Sequence, residues 1–210
     1  MRFKEYDVDV ANASLTGFAS NVTGAAFTLT ATAPTDGLAH QVSILNDTAN
    51  DHSGKTVTLV GTDPDGDALT EIVTGPGVSA TVESTGYFKT LTSATPSATI
   101  GADTFDIGWV DEVSTQTIPL DRRSDVAAAI NVDVTGTIDF TVQQTFDDVQ
   151  VNGQSAIQSV QWLAISALSA KTADTTSTAS VGATAIRLIV NSYSSGAELQ
   201  MNVNQTSSKY

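Results

Sequence analysis

Residues 55–74 read KTVTLVGTDPDGDALTEIVT. Val57 and Leu59 alternate with Thr56 and Thr58, and the far flank, ALTEIVT from Ala68 to Thr74, is strand-like too. Between the flanks lies DPDGD, residues 63–67, which reads in two ways. As a turn, Asp63 accepts backbone hydrogen bonds at its first position, Pro64 supplies the fixed φ that follows, and Gly66 tolerates positive φ. As a cation loop, Asp63, Asp65 and Asp67 offer three carboxylates to Ca²⁺. An EF-hand loop needs Gly at its sixth position and Glu at its twelfth. Counted from Asp63, the glycine comes at position 4 and position 12 is Thr74. The stretch therefore reads as a β-hairpin tip, with a surface Ca²⁺ site through Asp63, Asp65 and Asp67 as the alternative that remains to be tested.

Period-2 alternation recurs on both sides of this hairpin. It runs through AFTLTATA (26–33), INVDVTG (130–136), TIDFTVQQTF (137–146), AIRLIVN (185–191) and ELQMNVNQ (198–205). Alternation of this kind marks half-buried strands of antiparallel sheets. Turn signals at PTDG (34–37), GPG (75–77) and TGT (135–137) separate the runs. SAIQSVQWLAISALSA (155–170) fits a short helix or a strand pair, and we read it as strand. KTADTTSTASVGATA (171–185) reads as an exposed loop. Short, regularly spaced strands without long helices predict an all-β protein built from two tandem antiparallel β-sandwich-like domains. The expected organisation is an N-terminal arm at residues 1–13, a first domain at 14–110 and a second at 111–210. The boundary falls in the Pro- and charge-containing stretch 109–124.

Composition narrows the function. The chain has 210 residues, with 23 Asp and Glu against 9 Lys and Arg, for a net charge of −14. Such a surface repels phosphate backbones and anionic lipid, which argues against nucleic-acid and membrane partners. Cysteine is absent, so disulfides, thiolate metal sites and Cys nucleophiles are excluded. MRFKEYDVDV carries no apolar h-region, and no signal peptide is expected.

No catalytic constellation emerges. The two histidines, His40 and His52, are too few for a three-ligand His zinc site, HExxH is absent, and no G-x-S-x-G elbow is present. A Ser-His-Asp arrangement assembled from distant residues around either histidine is the remaining enzymatic reading. Asp147–Asp148 reads as a solvated strand end, because nothing positions a second carboxylate opposite it. Trp109 and Trp162 read as core or junction anchors; an aromatic platform for a glycan is the alternative. Arg122–Arg123 is the only basic dipeptide and is a candidate subunit contact. The sequence points to no cofactor.

Four stretches carry a resemblance. TDGLAHQVSILNDTANDHSGKTVTLVGTDPDGDALTEIVTGPG (35–77), YFKTLTSATPSATIGADTFDIGWVDE (87–112), TGTIDFTVQQTFDDV (135–149) and TAIRLIVNSYSSGAELQMNVNQ (184–205) resemble virion structural proteins of tailed bacteriophages. The resemblance implies a non-enzymatic particle component, in first place a capsid-decorating or cementing protein. A neck or tail ring or hub component, or a receptor- or carbohydrate-binding module, is the alternative. It further implies a homo-oligomer, trimer or ring, partnered by other virion proteins such as the major capsid or tail proteins. Such a protein resides in the virion after assembly in the bacterial host cytoplasm.

Overall fold

The computed structural model describes residues 2–121, 127–149 and 160–205. In chain order the strands are β1 (Arg2–Asp9), β2 (Ser14–Val22), β3 (Ala39–Asn46), β4 (Thr56–Thr62), β5 (Ala68–Thr74), β6 (Thr81–Phe88), β7 (Thr90–Pro96) and β8 (Phe105–Ser114). They continue with β9 (Ile118–Pro119), β10 (Ala129–Thr135), β11 (Ile138–Thr145), β12 (Leu163–Ala164), β13 (Thr175–Thr178), β14 (Ala185–Tyr193) and β15 (Glu198–Gln205). The chain is all-β, and its pairings are antiparallel.

The chain divides into two compact units, one formed by Ala11–Val113 and the other by Met1–Val10 together with Ser114–Tyr210. Two expectations need correction. Residues 2–9 are not a free arm, because β1 pairs with β15 along its whole length, from Arg2 opposite Gln205 to Asp9 opposite Glu198. Nor are the units in tandem: the unit Ala11–Val113 is inserted between the first strand of the other unit and the rest of it.

Within the inserted unit the strands pair in the order β8-β3-β6, with β2 joined to β8, and a three-stranded sheet has the order β5-β4-β7. Val57 and Leu59 of β4 and Leu91 of β7 are buried, as are Val42 and Ile44 of β3 and Ile107 of β8. They share one core with Phe18, Phe88, Phe105 and Trp109. Each such side chain removed from water contributes roughly 1.5–3 kcal/mol. Phe18 meets Trp109 edge-on at 5.1 Å, and Phe27 meets Phe105 at 5.7 Å. The expected strand AFTLTATA does not form. The N–H groups of Thr30 and Ala31 both go to the carbonyl of Phe18, so no ladder develops, yet Phe27 still enters the core.

Within the second unit the strands pair in the orders β1-β15-β10-β13 and β12-β11-β14, with β9 also joined to β14. Numbering its eight strands along the chain gives orders 1-8-3-6 and 5-4-7-2, the double Greek key of a jelly roll. Ile130 and Val132 of β10 and Met201 and Val203 of β15 are buried in the first sheet, and Phe140, Val142, Leu188 and Val190 in the second. Gly136, at φ +85°, turns the chain between β10 and β11, a conformation only glycine adopts freely. Thr175–Thr178, expected as loop, forms the edge strand β13. Its Thr/Ser composition lacks the buried face that marks an inner strand. Of the stretch 155–170, residues 160–170 are described, and they hold the short strand β12 followed by a single 3₁₀ turn at Ser166–Leu168.

Candidate functional site

The hairpin tip is built as the turn chemistry predicts. β4 and β5 pair from Thr56 opposite Thr74 to Thr62 opposite Ala68. Asp63 Oδ1 accepts the N–H of Asp65 at 3.0 Å and of Asp67 at 2.9 Å, and Gly66 sits at φ +91°. Asp63 is buried, and burial pushes its carboxyl above the ordinary value; the charges of Asp65 and Asp67 add to this, and the two N–H bonds oppose it. A carboxylate turned inward to hold its own backbone is a poor ligand for an external ion. Among the described residues, no group of three or more His, Asp or Glu could hold a metal ion. The structure thus does not bring Asp63, Asp65 and Asp67 together as a Ca²⁺ cage.

His40 is fully buried on β3. Its Nδ1 donates to the carbonyl of Val110 at 2.7 Å, and its Nε2 meets Asp36 Oδ2 at 2.8 Å. Asp36 also accepts the N–H of Ala11 at 2.7 Å and of Leu38 at 2.9 Å. Burial alone would raise the Asp36 carboxyl, but the bonds from His40, Ala11 and Leu38 outweigh it and hold the group below its ordinary value. Asp36 and His40 therefore tie the segment entering the inserted unit, at Ala11, to the segment leaving it, at Val110. Trp109 Nε1 donates to the Asn12 carbonyl at 3.0 Å and Ala13 N–H to Asp111 at 3.0 Å, closing the same crossing.

His52 is also buried. Lys55 Nζ donates to its Nδ1 at 2.9 Å, which leaves Nε2 to donate to Asp103 Oδ2 at 2.8 Å. Asn50 holds both oxygens of Asp103, at 2.9 and 3.1 Å. That amide first, with His52 and Lys55 adding and partial burial opposing, keeps Asp103 below its ordinary value. The turn at this site is closed by Ser53 N–H on Asp51 Oδ1, while the His52 N–H reaches Pro76. In both clusters each ring nitrogen is engaged by a carbonyl, a carboxylate or a lysine, and no hydroxyl occupies the position a Ser nucleophile would need.

Trp109 is buried, so it offers no platform. The half-buried Trp162 lies under the guanidinium of Arg187 at 4.5 Å, which itself holds Gln143 Oε1 at 2.7 Å. Asp147 caps the chain where it returns, accepting the N–H of Gln161 at 2.7 Å. Arg122 and Arg123 lie outside the described residues.

Sequence reasoning missed one surface. Asp7, Asp9, Asp133, Asp174 and Glu198 line a depression of about 550 Å³ in the jelly-roll unit, with no Lys or Arg among its lining residues. The pairing makes this assembly from distant residues: Asp7, Gln200 and Asp133 form one cross-strand row, and Asp9, Glu198 and Thr135 the next. The alternation of Glu5, Asp7 and Asp9 was the visible signal.

No protein-family model and no curated protein matches the chain. A solved structure, "Structure of infectious bursal disease virus Gx strain", is similar at 16% identity and a TM-score of 0.25, covering 99% of this chain and 71% of that one. A likeness at that level carries no argument about function.

Proposed function

We propose that the protein is a non-enzymatic structural component of a virus particle, of the tailed-phage type, and specifically a capsid-decorating or cementing protein. The observation that carries this reading is the strand order of the jelly-roll unit, an architecture that recurs in viral capsid domains. The same fold also serves lectins and cupins, so the side chains must decide. Both histidines hold the inserted unit together, and Trp109 is a core residue, which supports a scaffold role over a hydrolase or glycan-binding one. The sequence resemblance to phage virion proteins points the same way. The protein acts as a homo-oligomer, trimer or ring, seated on other virion proteins, and resides in the virion.

Mass spectrometry of purified particles tests this. The expected result is the chain present at hundreds of copies per particle; roughly 6–12 copies would move it to a neck or tail ring. Absence from washed particles would overturn the reading.

A further inference from the structure

β1 lies at the edge of its sheet, with β15 on one side and, among the described residues, no strand on the other. An eight-residue strand in unbroken register leaves a row of N–H and C=O groups free along that side. Glu5, Asp7 and Asp9 are exposed, while Val8 between them is buried. The edge therefore presents unpaired backbone together with carboxylates at every second residue. The register adds a second departure from ordinary sheet chemistry, because Asp9 stands directly opposite Glu198. Like charges facing each other across a ladder are destabilising.

A second copy of the chain does not suit this edge. Two β1 strands related by a two-fold axis normal to the sheet keep every side chain on its own face. Glu5, Asp7 and Asp9 of one copy would then meet the same residues of the other. Nor does the chain supply a complementary strand of its own: apart from Arg2 and Lys4, within β1 itself, no two of its nine Lys and Arg alternate along the sequence.

We propose that the free edge of β1 is a docking site for an extended, basic segment of a different protein. That segment adds as a fifth strand to β1-β15-β10-β13, pairing its backbone with β1 and placing alternate Lys or Arg side chains against Glu5, Asp7 and Asp9. Backbone pairing provides affinity and the carboxylate row provides the choice of partner. The proposal does not depend on where the protein resides.

The test uses the full chain and the heptapeptide Lys-Thr-Lys-Val-Lys-Thr-Lys. Hydrogen exchange at a peptide concentration about ten times the Kd is expected to slow alternate β1 amides about tenfold. Binding weakens as salt is raised, and the Asp7→Asn/Asp9→Asn variant weakens it by about tenfold. A peptide N-methylated at alternate residues keeps its charges but cannot pair, and is expected not to protect β1. Absence of β1 protection by the unmodified peptide would overturn the proposal. So would equal binding of the N-methylated peptide, which would mean charge adsorption alone, or undiminished binding by the Asp→Asn variant.

Discussion

Asp36 and Asp63 are both aspartates held by backbone N–H groups, yet the fold treats them oppositely. Asp36 gains the His40 ring and two backbone donors, and its carboxyl is lowered from 3.8. Its contribution to stability is fully present above that value and is lost as the pH falls through the folded-state value. Asp63 is raised from 3.8, with burial the largest cause. Its contribution is greatest below that value and declines as the pH rises through the folded-state value. Urea denaturation between about pH 3 and pH 7 separates the two. Asp36→Asn is expected to lose roughly 1–3 kcal/mol at pH 7 and to flatten the acid limb, and His40→Ala to lose about 3 kcal/mol. Asp63→Asn keeps an acceptor for Asp65 and Asp67 and is expected to be at least as stable as the parent at pH 7. A clear loss in that variant would show that the charge itself holds the turn. The turn was legible in the sequence because its chemistry is local. The His40 site was not, because Asp36 reaches Ala11 across 25 residues and His40 reaches Val110 across 70, distances only the fold can close.

At the scale of elements, alternation predicted β4, β10 and β15, each with one buried and one wetter face, and also β11 and β14, where Thr141, Thr145, Ala185 and Ile189 bury much of the second face too. It failed where geometry departs from a regular ladder. Residues 26–33 alternate as well as any strand, but the N–H groups of Thr30 and Ala31 converge on the Phe18 carbonyl. β1 was read as an arm because five charges mask its apolar positions, although Tyr6, Val8 and Val10 recur with period two. Irregular pairing also fixes glycines that sequence patterns do not explain. The ladder between β4 and β7 shifts between Val60 and Gly61, and a Cβ on Gly61 would lie 1.9 Å from the Thr90 carbonyl oxygen. Gly61→Ala is therefore expected to destabilise by about 1–3 kcal/mol through forced backbone movement. Thermal unfolding checks this, and a variant with unchanged Tm would mean that the two strands can part there without loss.

For the whole molecule, the decisive feature is invisible to any linear scan for boundaries: one unit is contiguous and the other is not. Ala11–Val113 carries its own core and its own crossing bonds at Asp36 and His40. Expressed alone, residues 11–113 are expected to unfold cooperatively. Residues 114–210 lack β1 and are expected to fold only when a peptide of residues 1–10 is added, as read by near-ultraviolet circular dichroism. Independent folding of 114–210 would show β1 to be dispensable. The pairing of β1 with β15 also has a consequence in time. A ribosome adding about 5–20 residues per second takes roughly 10–40 s to travel from one strand to the other. Throughout that interval β1 has no native neighbour, while Ala11–Val113 is completed about halfway through it. During that wait the like charges of Glu5, Asp7 and Asp9 disfavour pairing of β1 with a second copy of itself.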